Sequence, residues 1–174
     1  MEKAERGGKI KLGGYDWLVL DIFDRKALVV SDRILSERAY HSAEEAVTWE
    51  SSEMRRYLNG DFLGAFSESE KKRIAETVLM NGDNPEYNTA GGNNTSDKVF
   101  LLSLGDAEKY FIDNSARTAV KLDGEAMHYW LRSPGCEPTS AAYVEYDGVI
   151  SYGYGHWSGV LSIGGVRPAM LLHI

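Results

Sequence analysis

A single cysteine, Cys136, and only four prolines stand in 174 residues. A lone thiol excludes an intrachain disulfide framework and a cysteine-only zinc site, because both need paired sulfurs. Set between Pro134 and Pro138, Cys136 reads as a small turn residue and not as a nucleophile. No stretch approaches the roughly 18 consecutive apolar residues of a membrane-crossing helix, so membrane insertion is not expected. The start MEKAERGGKI lacks the apolar core of a signal peptide. Without an export address in the chain as given, a cytoplasmic location is favoured over an extracellular one. Cations are the minority charge: 19 Lys and Arg stand against 26 Asp and Glu, a formal net charge of −7. Such a surface attracts neither nucleic acid nor anionic lipid, and neither is expected as a partner. The densest basic stretches, Arg55 with Arg56 and Lys71 with Lys72 and Arg73, have acidic neighbours and read as solvated helix faces.

What is present suffices for one compact domain. With 43% hydrophobic residues and four Trp, a chain of this length buries about 70% of its unfolded surface. A single domain over residues 9–174 is expected, behind a disordered tail over residues 1–8. YDWLVLDIF reads as a strand, DRK as a tight turn and ALVVSD as its hairpin partner. In SSEMRRYLNGDFLGAF, Met54, Tyr57, Leu58, Phe62 and Phe66 recur near helical spacing, with Ser51 or Ser52 as N-cap and Gly60 as the stop. Ser67 and Glu70 have capping-box spacing and predict a second helix running into the apolar end of SESEKKRIAETVLM. Residues 81–98 are rich in Gly, Asn, Asp and Thr and predict a long loop. VFLLS reads as a strand and LGDAEKYFID as a short helix. YWLRS, AAYVEYDGVIS and GVRPAMLLHI then predict an antiparallel sheet in the second half, giving an α+β class.

Two arginines occupy unusual positions, Arg132 before Ser-Pro in YWLRSPG and Arg167 before Pro168 in GGVRPAM. A charge in an apolar strand must be paired, and the prolines mark strand ends by removing a ladder donor. Both arginines read as clamps on loop backbone, with carbonyls or a carboxylate such as Asp97 or Glu50 as partners. The alternative is capture of an anionic ligand by their planar forks. Ser158 in GHWSGV has the wrong position for a nucleophile elbow. His41, His128, His156 and His173 show no metal-ligand spacing, and GGNN lacks the lysine of a phosphate loop. VEYDGVISYGYGHWSGV gathers Tyr143, Tyr146, Tyr152, Tyr154, His156 and Trp157 among glycines. Stiff aromatic side chains with polar tips suit stacking on sugar rings or anchoring a protein. The competing reading is that alternate aromatics fill the core.

The blocks YDWLVLD, TWESSEMRRYLNGDFLGAF, DKVFLLS, YWLRSPG and GVRPAMLL resemble, in order and spacing, a bacterial domain family of unknown function. The resemblance covers Lys9 to Ile174. Tyr57 and Tyr129 stand where that family usually has Trp, and Met54 where it has Leu; all three swaps are compatible with packing. The W-x-R-S and G-x-R-P pattern is in turn similar to the C-type-lectin-like superfamily, including its formylglycine-generating branch. That resemblance implies two or three short helices packed on a small antiparallel sheet, long loops and neighbouring termini. It does not bring the oxidase chemistry, which needs a cysteine pair. CEPTS resembles the calcium loop of sugar-binding lectins but has Thr139 in place of asparagine. Asp83, Asn84 and Glu86 offer oxygen ligands without EF-hand spacing. No cofactor is expected, with calcium as the alternative. The leading reading is a non-catalytic recognition module for a carbohydrate or a protein surface, through Tyr152, Tyr154, His156, Trp157, Asn93 and Asn94. Arg132, Arg167 and Asp97 are its structural or anion-binding charges. The rivals are an enzyme with Asp97, His128 or His156 as acid or base, and a purely structural module.

Overall fold

The computed structural model describes residues 4–153 and 159–174. β1 (Lys9–Leu12) and β2 (Tyr15–Phe23) pair antiparallel, and β3 (Lys26–Ser31) returns through Asp24 and Arg25. Those two residues take φ of 48° and 58°, the left-handed pair that matches a tight turn to the twist of its strands. Gly7 and Gly8 already exchange backbone hydrogen bonds with Val19, so pairing begins inside the stretch expected as a tail. β4 (Ser36–Ala39) precedes α1 (Glu53–Tyr57), whose N-cap Ser52 accepts from the Arg55 N–H. The winding then passes through Gly60, the expected stop, in a π-helical turn over Leu58–Phe62 that keeps Leu58 and Phe62 buried.

Ser67 and Glu70 form the capping box that their spacing predicts, at the start of α2 (Glu68–Lys71). The helix stops there. The apolar residues expected to continue it become β5 (Ile74–Ala75) and β6 (Thr77–Leu79), because each finds a strand partner elsewhere in the chain. β6 pairs with β7 (Thr95–Asp97), so the end of the expected loop is strand. β8 (Val99–Phe100), α3 (Leu104–Tyr110) and α4 (Asn114–Arg117) follow. The remainder is β9 (Tyr129–Pro134), β10 (Ala141–Val144), β11 (Ile150–Ser151), β12 (Ile163–Val166) and β13 (Ala169–His173).

The second half does not make one antiparallel sheet. β13 lies beside β3, β5 and β8 in a sheet that includes β1 and β2, while β11, β10, β9, β12 and β4 form another in that order. β12 and β9 run parallel, through Gly165 opposite Tyr129. The chain changes sheets at Arg167 and Pro168, where the missing proline N–H ends the ladder. One cluster of buried residues joins both sheets, with Trp17 from the first and Trp130 and Leu131 from the second among its fully enclosed side chains. The protein is therefore α+β, with a few short helices on largely antiparallel sheets. Among the described residues no helix is long and apolar enough to cross a membrane.

Candidate functional site

β9 carries Arg132 into the interior, where it is 8% exposed. Its Nη1 donates to the Leu101 carbonyl at 2.9 Å and to Asp106 Oδ2 at 2.8 Å. Asp106 is held by its own helix: Ser103 and Asp106 form a reciprocal capping box at the start of α3. Burial, the largest influence on this carboxyl, raises its pKa. The charge of Arg132 and the hydrogen bonds from Ser103 outweigh that and leave it below the usual carboxylate range.

Asp97 and Glu50, the carboxylates expected beside the arginines, have other partners. Buried Asp97 accepts from Trp49 Nε1 at 2.9 Å, Arg55 Nε at 2.7 Å and Thr95 Oγ1 at 2.7 Å. Glu50 accepts from Asn93. Among the described residues Arg167 meets no carboxylate: its Nε donates to the Ser31 carbonyl and its Nη1 to Tyr129 Oη and the Arg117 carbonyl. Its guanidinium lies 5.3 Å from the Phe111 ring centre and 5.1 Å from that of Tyr129. Burial pushes the Tyr129 phenol upward in pKa, so it stays neutral beside this cation.

Beside Arg132 lies a cleft of about 240 Å³. Its walls are the residue 80–85 segment, the first turns of α3 and the end of β9, with Asn81, Asp83, Gly105, Glu108 and Pro134 among the lining. Two polar atoms of that lining are buried without a hydrogen-bond partner, Arg132 Nε and Asn81 Oδ1. Each such group costs about 1–3 kcal/mol, so their pairing at one cleft is chemically informative. Asp106 offsets the charge of Arg132, and Asp83 and Glu108 add negative charge to the lining.

The long loop and the β11 exit meet next to this cleft. Asn84 Nδ2 donates to the Pro134 carbonyl at 2.9 Å, while its Oδ1 accepts from the Glu86 and Tyr87 N–H groups. This brings the Tyr87 ring to 5.4 Å from that of Tyr152. Tyr152 is half-buried; burial first, then Glu86 and Glu108, raise its phenol pKa. The Cys136 N–H holds the Tyr152 carbonyl at 2.7 Å, and Cys136 Sγ lies 3.1 Å from the Gly153 carbonyl. Tyr154, His156 and Trp157 lie outside the described residues. Asn93 and Asn94 are exposed and bonded to Asn81: the Asn94 Oδ1 accepts from the Asn81 N–H, and Asn81 Nδ2 donates to the Asn93 carbonyl.

Of the acid–base candidates, His156 lies outside the described residues, and the other two are engaged elsewhere. The His128 ring packs edge-on against Trp130 and Tyr143, while Asp97 is saturated by Trp49, Arg55 and Thr95. His41 bonds Glu45 and the Glu53 N–H. Asp83, Asn84 and Glu86, the candidate calcium ligands, bond loop groups: Gly91 N–H, the Glu86 and Tyr87 N–H groups, and Tyr87 Oη. Among the described residues, no group of three or more His, Cys, Asp or Glu could hold a metal ion.

Sequence reasoning missed Asp106 and Asn81. The first had a signal, since Ser103 and Asp106 repeat the S-x-x-D spacing of a capping box. Asn81 had none, because the cleft it lines is completed by α3 and the end of β9, from elsewhere in the chain. No curated protein and no solved structure matches the chain. The model of one family does match, over residues 24–174, which includes every wall of the cleft and both tyrosines: the chain belongs to the domain of unknown function family DUF6273.

Proposed function

We propose that this protein is a non-catalytic recognition module, related in fold to the C-type-lectin-like proteins, that binds a carbohydrate through the face shared by the residue 81–98 loop and Tyr152. The observation that carries the reading is the Tyr87–Tyr152 pair, 5.4 Å apart, beside a cleft with buried polar groups. Two tyrosine rings at a cleft edge offer an apolar surface for the C–H face of a sugar, and the phenols and amides offer hydrogen bonds to its hydroxyls. Glu86 and Glu108 favour hydroxyl donors over anions. The fold relation is supported by the α+β class and by β1 and β13 lying in one sheet, in keeping with the neighbouring termini that the resemblance implies.

A glycan array probed with the labelled chain, with and without EDTA, tests the reading. Binding should survive EDTA, and Tyr152→Ala should weaken it about tenfold at a stability cost of about 1 kcal/mol. Capture of a folded protein but no glycan, sensitive to the same substitution, would move the ligand class from carbohydrate to protein.

A further inference from the structure

We infer that the cleft beside Arg132 is a subsite for one neutral, hydroxyl-rich ring, with Arg132 as donor and Asn81 as acceptor; this rests on the carbohydrate reading above. A volume of about 240 Å³ lies below the roughly 300–1,000 Å³ of pockets that enclose drug-sized ligands, so a single ring fits and an oligosaccharide does not. The two unpartnered atoms are one donor and one acceptor, Arg132 Nε and Asn81 Oδ1. A ligand that satisfies both must accept one hydrogen bond and donate another, as a sugar hydroxyl pair does. An anion is disfavoured because Asp106 already sits 2.8 Å from Arg132 and Asp83 and Glu108 line the same cleft. A compact cation is disfavoured by the guanidinium itself. Leu104 and Pro134 add apolar wall for the ring's C–H face.

Glycine provides a test that leaves the arginine network intact. Gly105 lines the cleft, is exposed, and a Cβ there would meet only Ser103 Oγ at 3.9 Å, so Gly105→Leu fills the cleft without strain. Gly64 is open to solvent and lies outside the lining, so Gly64→Leu serves as control. The full chain is titrated by calorimetry with the methyl glycosides of glucose, galactose, mannose and N-acetylglucosamine, and with methyl glucuronide. At least one neutral glycoside should bind, more tightly than the glucuronide, and Gly105→Leu should weaken it by about tenfold or more while Gly64→Leu does not. Thermal melts of both variants establish that the fold is kept. If neutral glycoside affinity is the same in Gly105→Leu, or the glucuronide binds best, the subsite is wrong. Loss on Tyr152→Ala with no loss on Gly105→Leu keeps the aromatic face and removes the cleft. Absence of glycoside binding by the unmodified chain overturns the subsite, and absence of binding on the glycan array as well overturns the carbohydrate reading.

Discussion

Among the described residues, Arg132 makes its two side-chain hydrogen bonds through one nitrogen, Nη1, to a carbonyl and to a carboxylate that is itself part of a helix cap. Removing the guanidinium leaves Asp106 without its counter-charge and the Leu101 carbonyl without this donor. Arg132→Ala is expected to cost about 3 kcal/mol in urea unfolding at pH 7, at the lower end for a broken buried pair because Asp106 is partly exposed. The same pair sets an acid dependence. Asp106 titrates below its ordinary value when folded, so its stabilisation is fully present above the unfolded pKa of about 3.9 and is lost as pH falls through the folded value. Unfolding curves of Asp106→Asn and the unmodified chain should therefore be well separated at pH 7 and draw together below about pH 4. That prolines close the strands near both arginines was legible in the sequence, although Arg132 itself lies inside β9, two residues before Pro134 ends it, while Arg167 stands just past the end of β12. Which groups face them was not, since Arg132 meets Leu101 and Asp106, and Arg167 meets Ser31, through contacts that only the assembled sheets create.

The elements show where local signals suffice. The hairpin of β2 and β3 reads directly from alternation around a short polar turn, and Ser67 announces α2 three residues before Glu70 answers it. IAETVL does not declare itself: its spacing suits a helix as well as a strand, and the decision comes from β13 and β7, whose edges accept β5 and β6. The candidate site shares that limit. Its loop was legible from composition, but its cleft needs the loop, α3 and β9 at once. The cap on α2 gives a graded test. Ser67→Ala removes the acceptor for the Glu70 N–H and should cost about 1 kcal/mol. Glu70 also accepts from the Gly13 N–H, tying α2 to the turn between β1 and β2. Glu70→Ala should therefore cost more than Ser67→Ala in denaturant unfolding, and amide exchange at Gly13 should rise in Glu70→Ala alone.

At the scale of the molecule, two sheets share one core and are joined through Arg167. Val166 ends β12 in one sheet and Ala169 opens β13 in the other, with Arg167 and Pro168 as the whole connection. The Arg167 side chain spans the same boundary: it bonds the Ser31 carbonyl on β3, the Tyr129 hydroxyl on β9 and the Arg117 carbonyl at the end of α4. Because the buried cluster is continuous across both sheets, neither sheet retains a closed core when the other opens, and unfolding should be a single cooperative transition. Arg167→Ala is expected to cost about 3 kcal/mol, from a buried cation's lost bonds and the gap left between Phe111 and Tyr129. Amide exchange tells whether that loss is shared. Val29 on β3 and Leu131 on β9 report the two sheets, and both should lose protection by the same free energy in Arg167→Ala. A loss confined to Leu131 would mean that the sheets open separately, and that the proposed recognition face at the end of β9 belongs to the less stable of two folding units.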